Sequence, residues 1–168
     1  MGAKTWTILG FPTSETPVSG DRKIDRLIVH CSATPEGKEY SSKTISDWHH
    51  DSKFSSYKDA NTGKLMYVGY HYLIHLDGSI EVCRPENIRG CHVTNYNANS
   101  IGICYIGGVA NDSKLTPKDT RTDAQKASLL KLLKVLKERF PAATIHGHNT
   151  FANKACPSFD AKAEYSTL

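Results

Sequence analysis

Residues 122–140 place the strongest single constraint on how this chain can fold. Thr122 and Gln125 have the spacing of a helix capping box, and Pro141 ends the segment. Between them, large apolar side chains recur at three- and four-residue intervals, as on one face of a helix: Leu129, Leu132, Leu133, Leu136 and Phe140. The pattern predicts a long amphipathic helix that must bury this face against another layer of the protein.

Short apolar segments elsewhere in the chain supply that second layer. Predicted strands cover residues 24–30, 67–76, 79–84, 100–107 and 143–146. Asp77-Gly78 is predicted to join two of them as a two-residue type I′ turn. Residues 44–51 predict a short helix, residues 160–168 a terminal helix, and residues 55–66 an exposed loop. Strands that alternate with helices predict an α/β fold, with a central mixed β-sheet flanked by helices.

Residues 1–22 are rich in turn-forming residues, and we interpret them as an N-terminal arm before a single domain at 23–168. The apolar stretch 6–11 is too short for a secretion signal, because Pro12 interrupts it. We therefore expect synthesis in the cytoplasm without a signal peptide. No membrane insertion is expected, because no apolar run in the sequence approaches the ~18 residues of a spanning helix.

Charge and cysteine content limit the partners of the chain. The net charge is +4, and the basic residues are interleaved with acidic ones, which argues against a nucleic-acid-binding arm. A mild positive charge is compatible with an anionic partner such as a bacterial cell wall.

The five cysteines are odd in number and contain no Cys-x-x-Cys pair, so a disulfide framework is not expected.

Three residues have the chemistry of metal ligands and lie near the ends of predicted strands. His30 ends one strand, His148 follows another, and Cys156 comes eight residues later. Imidazole and thiolate are ligands that zinc prefers, and three of them leave a fourth position open in a catalytic site. Histidine and cysteine at strand ends are also common structural residues. The spacing alone therefore leaves both a metal site and structural roles open.

Four motifs occur along the chain in a recognisable order: Val29-His30-Cys31-Ser32-Ala33-Thr34, Val68-Gly69-Tyr70-His71-Tyr72, Asn99-Ser100-Ile101-Gly102-Ile103-Cys104 and Lys154-Ala155-Cys156-Pro157-Ser158-Phe159-Asp160. Together they resemble the zinc N-acetylmuramoyl-L-alanine amidases, in particular the amidase-type lysozymes of T-odd coliphages. That family shares its fold with the peptidoglycan recognition proteins. The resemblance runs from about residue 23 to residue 160 and leaves out the arm.

The resemblance implies a Zn²⁺ site, two catalytic residues and one residue in the substrate groove. The implied ligands are His30, His148 and Cys156, the implied catalytic residues are Tyr70 and Lys154, and the implied substrate-binding residue is His92. His146 is the alternative to His148 as second ligand, because it lies only two residues away. Cys31, next to His30, is expected to point to the opposite face of the strand and to pack in the core.

The resemblance also implies a function. It implies hydrolysis of the amide bond between N-acetylmuramic acid and L-alanine in bacterial peptidoglycan by a monomeric endolysin or antibacterial effector. Such a protein reaches the wall after release or delivery. A non-catalytic peptidoglycan-binding module is the alternative, because members of this fold that lose a metal ligand act as receptors. Some phage relatives also bind an RNA polymerase, but the tail involved has no recognisable counterpart here, and nothing indicates a polymerase or immunity partner.

Overall fold

The structure, a computed structural model, describes residues 22–59 and 62–168, which contain strands and helices. The strands are β1 (Arg26–Cys31), β2 (Thr34–Pro35), β3 (Tyr57–Lys58), β4 (Leu65–Met66), β5 (Tyr72–Ile74), β6 (Ile80–Val82), β7 (Ser100–Tyr105), β8 (Gly108–Val109) and β9 (Thr144–Gly147). The α-helices are α1 (Ser42–Asp51), α2 (Asp123–Arg139) and α3 (Ala161–Glu164). Single 3-10 turns cover Asn97–Asn99 and His148–Thr150.

A five-stranded mixed sheet lies at the centre, with the strand order β6-β5-β7-β1-β9. β1 is parallel to both β7 and β9, and β5 is parallel to β7, whereas β6 is antiparallel to β5. The expected α/β fold with a mixed central sheet is confirmed. Because the inner strands are parallel, their carboxyl ends meet at one edge of the sheet.

Apolar side chains cover both faces of this sheet. Alternate residues of β1, which are Leu27, Val29 and Cys31, lie in one core with the apolar residues of α2. A second core, around Ile45 of α1 and Leu73 of β5, covers the other face. Since side chains alternate along a strand, His30 projects toward this second face. Cys31 packs in the first core, as expected.

The predicted capping box of α2 is present. The Thr122 hydroxyl accepts the N–H of Gln125 at 3.0 Å, and the Gln125 side chain accepts the N–H of Thr122 at 2.9 Å. The Gln125 amide also donates to the carbonyls of Ile74 and Ile106, at 3.2 and 3.0 Å, which fixes the helix on the sheet. Across the described ranges, no helix combines the length and the apolar character that crossing a membrane requires.

The turn between β5 and β6 differs from the predicted one. Its loop holds three residues, 76–78, and is closed by the N–H of His75, which donates to the Ser79 carbonyl at 2.9 Å. Gly78 has a φ of +85°, whereas Asp77 is not in the left-handed region. The type I′ prediction is wrong because that turn needs a positive φ at both central residues. The Asp77 carboxylate instead accepts the N–H of Ser79 at 2.8 Å.

Two further predicted segments differ in extent. Residues 55–66, expected as an exposed loop, include the short antiparallel pair β3 and β4, and Tyr57 is only 3% exposed. The predicted terminal helix at 160–168 is confined to Ala161–Glu164. Asp160 caps this helix by accepting the N–H of Ala163 at 3.0 Å.

The predicted strand 67–76 is interrupted at Gly69, and only its second half enters the sheet. The N–H of Cys91 donates to the carbonyl of Gly69 at 3.0 Å, so another segment crosses here. A Cβ on Gly69 would lie 2.1 Å from the Cys91 carbonyl oxygen, and any other residue would therefore push the two segments apart. This crossing places Tyr70 beside the end of β1.

Arg22 is the last residue of the predicted arm and the first that the structure describes. Its guanidinium donates to the carbonyls of Glu86, Asn97 and Ser100 at 2.6, 2.9 and 2.6 Å. It therefore ties together the segments that precede β7. The rest of the arm, residues 1–21, lies outside the described residues, and the boundary at 22/23 stays a prediction.

His75, next to the β5–β6 turn, should make the stability of the fold depend on pH. Its two ring nitrogens lie 2.7 Å from Glu39 and 2.9 Å from Glu81, and these carboxylates, Glu81 foremost, raise the pKa of His75 to about 9. Because the pKa of His75 is higher in the folded protein than in the unfolded chain, the protonated side chain stabilises the fold. This stabilisation is complete at pH values below the unfolded pKa of 6.5 and is lost as the pH rises through about 9. His75→Gln should therefore lower the free energy of unfolding on the order of 1 kcal/mol more at pH 6 than at pH 9.5, after allowance for solvent screening.

Urea unfolding of the wild type and of His75→Gln at the two pH values measures this difference. The wild type at each pH is the control for groups other than His75 that titrate in this range. A gap between wild type and variant that is the same at pH 6 and pH 9.5 would show that the imidazolium does not contribute.

Candidate metal centre

Two parallel strands bring His30 and His148 together at the carboxyl edge of the sheet. In the register of β1 and β9, Val29 lies opposite Gly147, so the residues that follow them come side by side. The ring centroids of His30 and His148 are 4.7 Å apart. Their proximity follows directly from the strand pairing.

Cys156 reaches the same edge through the loop that follows His148. The N–H of Asn149 donates to the Cys156 carbonyl at 2.9 Å, and the Tyr105 hydroxyl donates to the Pro157 carbonyl at 2.6 Å. The N–H of Cys31 donates to the Cys156 sulfur at 3.3 Å. These bonds hold the sulfur against the end of β1.

The donor atoms of His30, His148 and Cys156 fit a zinc ion. All three lie within 4.8 Å of one another, and the Nδ1 of His30 is 3.8 Å from the Cys156 sulfur. Tetrahedral zinc with bonds of ~2.0–2.3 Å separates neighbouring ligand atoms by roughly 3.3–3.7 Å. Two imidazoles and a thiol are also the donor types that zinc prefers. The structure therefore brings the three predicted ligands together at a suitable spacing.

His146, the alternative second ligand, does not join this group. Its Nε2 lies 2.8 Å from the Thr144 hydroxyl, and its ring packs against Phe151 with 5.1 Å between centroids. Two residues further on, the chain has left β9 and turns toward His30. The geometry therefore favours His148 over His146 as the partner of His30 and Cys156.

Burial and positive charge favour neutral imidazoles at this centre. The pKa of His30 is held well below its usual value, first by burial and then by His148 and the Lys154 cation. Burial, followed by Lys154, also lowers the pKa of His148. Contact with the Cys31 thiol, followed by burial, raises the pKa of Cys156. Neutral histidines can donate a lone pair to a metal, and a bound cation is the charge that would stabilise a thiolate here.

Tyr70 and Lys154 both lie near the candidate ligands. The ring centroid of Tyr70 lies 5.0 Å from that of His30. Burial raises the pKa of this phenol well above its usual value. Lys154 is exposed and lines a groove of about 310 Å³ together with His148. The structure thus places both predicted catalytic residues at the candidate centre.

His92 lines the same groove but is itself almost fully buried. Its Nδ1 is 2.8 Å from the Nε2 of His30, and its Nε2 is 3.2 Å from the Ser100 hydroxyl. The resemblance implies that His92 lies near the substrate, and its position in the groove wall is compatible with that prediction. Its direct contact with His30 was not foreseen.

Comparison with known proteins identifies the family. The sequence matches the family described as N-acetylmuramoyl-L-alanine amidase over residues 20–159. The chain belongs to this amidase family. The amidase is 37% identical over 138 residues to the endolysin of Escherichia phage T7, covering 82% of this chain and 83% of the relative. It is 36% identical over 141 residues to the endolysin of Klebsiella phage KP32, covering 84% and 85% of the two chains.

A solved structure supports the fold of the amidase. An N-acetylmuramoyl-L-alanine amidase from Clostridium intestinale superposes with a TM-score of 0.66 and 22% identity, over 85% of this chain and 82% of that chain. At that identity the likeness concerns the fold alone. It confirms the amidase fold, and the family match with the endolysin relatives confirms the amidase activity that the resemblance implied.

Sequence reasoning missed two polar residues next to the site of the amidase. Ser100 starts the apolar strand β7 and is fully buried beside His92. His49 of α1 accepts the N–H of Gly69 at 2.9 Å, and its ring centroid lies 5.4 Å from that of Tyr70. A hydroxyl at a buried strand position was the available signal for Ser100. For His49 the sequence held no signal, because its partner is a backbone amide distant along the chain.

The remaining core histidine of the amidase, His71, has a structural role. The Nδ1 of His71 accepts the N–H of Gly102 at 3.0 Å, and its Nε2 donates to the Ile88 carbonyl at 2.9 Å. Burial lowers the pKa of His71 to about 3, so the ring stays neutral. Both ring nitrogens are satisfied, and His71 is not free to act as a ligand.

Proposed function

We propose that this amidase hydrolyses the bond between N-acetylmuramic acid and L-alanine in bacterial peptidoglycan, with zinc held by His30, His148 and Cys156. The observation that carries the proposal is the convergence of these three donors within 4.8 Å at the edge of a groove. The name endolysin, carried by relatives that match more than four-fifths of the chain, supports a cell-wall substrate. The proposal requires the chain to bind the metal through two neutral imidazoles and a thiolate.

Two residues of the chain supply the remaining chemistry. When bound, zinc polarises the scissile carbonyl and lowers the pKa of water at its open position. The exposed Lys154 carries a cation at the groove wall, where it stabilises the negative charge that develops on the carbonyl oxygen. The Tyr70 hydroxyl, beside His30, orients the hydrolytic water and passes protons. His92, in the groove wall, remains the predicted contact to the muramyl peptide.

We expect the protein to act as a monomer on the cell wall after its release from the cytoplasm or its delivery by another system. The non-catalytic receptor alternative requires a missing metal donor, whereas all three donors are present and close together. No polymerase or immunity partner forms part of the proposal.

A wall-digestion assay tests the proposed function. Zinc content is measured per chain, and the release of dye from labelled cell walls is followed with and without a chelator. We expect about one zinc per chain, a rate at least ~100-fold lower after chelation, and recovery on adding zinc. The products should contain new free amino groups of L-alanine and no new reducing sugar ends.

Two outcomes would contradict the proposal. Full zinc occupancy without any released peptide would identify a receptor. New reducing ends would show that the glycan, and not the amide bond, is cleaved.

A further inference from the structure

We propose that His92 is a positioning residue for the metal centre, which accepts a hydrogen bond from the Nε2 of His30 and so keeps the His30 Nδ1 free toward Cys156. The inference rests on the metal-binding role proposed above. It goes beyond the predicted substrate contact, because it gives His92 a function before any substrate binds. The proposal is based on two hydrogen-bond contacts, one between His30 and His92 and one between His92 and Ser100.

The contact between the two imidazoles is short and shielded from water. The Nε2 of His30 lies 2.8 Å from the Nδ1 of His92, and the ring planes meet at 84°. His30 is 1% exposed and His92 is 8% exposed. In such surroundings an unmade hydrogen bond costs more than at the surface, so each ring constrains the proton position of the other.

Only one placement of the protons is compatible with a metal on His30. If the Nε2 of His30 carries the proton, it donates to the Nδ1 of His92, and the Nε2 of His92 then donates to the Ser100 hydroxyl. The Nδ1 of His30, 3.8 Å from the Cys156 sulfur, then holds a lone pair. In the reverse placement that Nδ1 is protonated and cannot bind a metal. Ligand histidines are commonly fixed by a partner on their other nitrogen, and His92 occupies that place.

Close packing holds the His92 ring in this position. A Cβ on Gly102 would lie 2.8 Å from the ring, and a Cβ on Gly90 would lie 2.5 Å from it, so both glycines leave room for the imidazole. The Asn97 side chain accepts the N–H of His92 at 2.8 Å and that of Val93 at 2.9 Å. The ring therefore has little freedom to turn away from His30. This packing also gives a physical reason for the glycine in the Ser100-Ile101-Gly102 motif.

Matched substitutions separate the hydrogen bond from the packing. His92→Phe keeps a planar ring but cannot accept a proton, whereas the carbonyl oxygen of His92→Asn can stand near the Nδ1 position and only accepts. Zinc affinity is measured by competition with a chromophoric chelator. We expect His92→Phe to weaken zinc binding ~10–100-fold and His92→Asn to stay within about fivefold of the wild type.

Ser100→Ala provides a milder test, because it removes a single oxygen that does not touch His30. Without the Ser100 hydroxyl, the Nε2–H of His92 has no acceptor. The placement of protons that leaves the His30 Nδ1 unprotonated is then less favourable. We expect zinc binding to weaken about threefold to tenfold. Thermal unfolding of the zinc-free proteins reports whether each variant folds. If His92→Phe fails to fold, Ser100→Ala alone decides the question.

Three results would overturn the inference. Unchanged zinc affinity in His92→Phe together with a raised KM for a muramyl peptide would make His92 a substrate contact only. Equal weakening in His92→Phe and His92→Asn would mean that the ring acts by packing. If Ser100→Ala binds zinc as tightly as the wild type, the proton chain is not needed. A wild-type chain that binds no zinc would instead refute the proposed function itself.

Discussion

Cys156→Ser is expected to lose bound zinc and to digest cell walls at under about 1% of the wild-type rate. Among the residues that the structure describes, the sulfur is one of three protein donors that converge at the centre, so its loss leaves only His30 and His148 of that group. A serine hydroxyl is a far weaker zinc ligand than a thiolate. Loss of a hydrogen-bond partner behind a ligand costs ~10–100-fold in affinity, so loss of the ligand itself should exceed ~100-fold.

Zinc stoichiometry after dialysis and the rate of dye release from labelled walls measure the two parts of this prediction. Cys83→Ser is the matched control, because Cys83 is a buried thiol in the second core, where it does not belong to the group of donors. It should keep about one zinc per chain. Wild-type zinc content in Cys156→Ser would place the metal elsewhere and refute the proposed site.

The proximity of His30 and His148 could be predicted in part, because both lie where neighbouring parallel strands end. His30 is the penultimate residue of β1 and His148 directly follows β9, two strands whose β-branched residues are visible in the sequence, and parallel pairing of those strands puts both histidines at one edge. The sequence of neither strand specifies which strand it pairs with. The pairing follows from long-range packing, so the sequence alone left structural roles open until the motif resemblance was added.

Contacts that depend on atoms far apart in the chain escaped prediction. The partner of His30 is His92, 62 residues away, and the partner of His92 is Ser100 at the start of another strand. The prediction of a type I′ turn at Asp77-Gly78 is wrong for a local reason. Only the glycine adopts a positive φ, and the loop contains three residues instead of two. Hydrophobic periodicity predicts which face of a helix or strand is buried, but it does not specify which polar atoms of different elements form hydrogen bonds.

Tyr70→Phe is expected to bind zinc normally and to lower kcat by ~10²-fold or more. The substitution removes one oxygen and keeps the ring, which packs 5.0 Å from His30 between centroids. Burial raises the pKa of this phenol, so the hydroxyl keeps its proton and can hydrogen-bond to water or substrate. We therefore expect the substitution to slow the chemical step without moving the zinc ligands.

Steady-state rates on a soluble muramyl peptide, together with zinc content, test this split. Tyr40→Phe is the matched control, because Tyr40 packs against Trp48 of α1, with 5.3 Å between ring centroids, and its hydroxyl has no place in the proposed reaction. A kcat within about threefold of the wild type in Tyr70→Phe would remove the hydroxyl from the mechanism. A raised KM at unchanged kcat would instead assign Tyr70 to binding, because an interaction that is equally strong in the ground and transition states changes KM and not kcat.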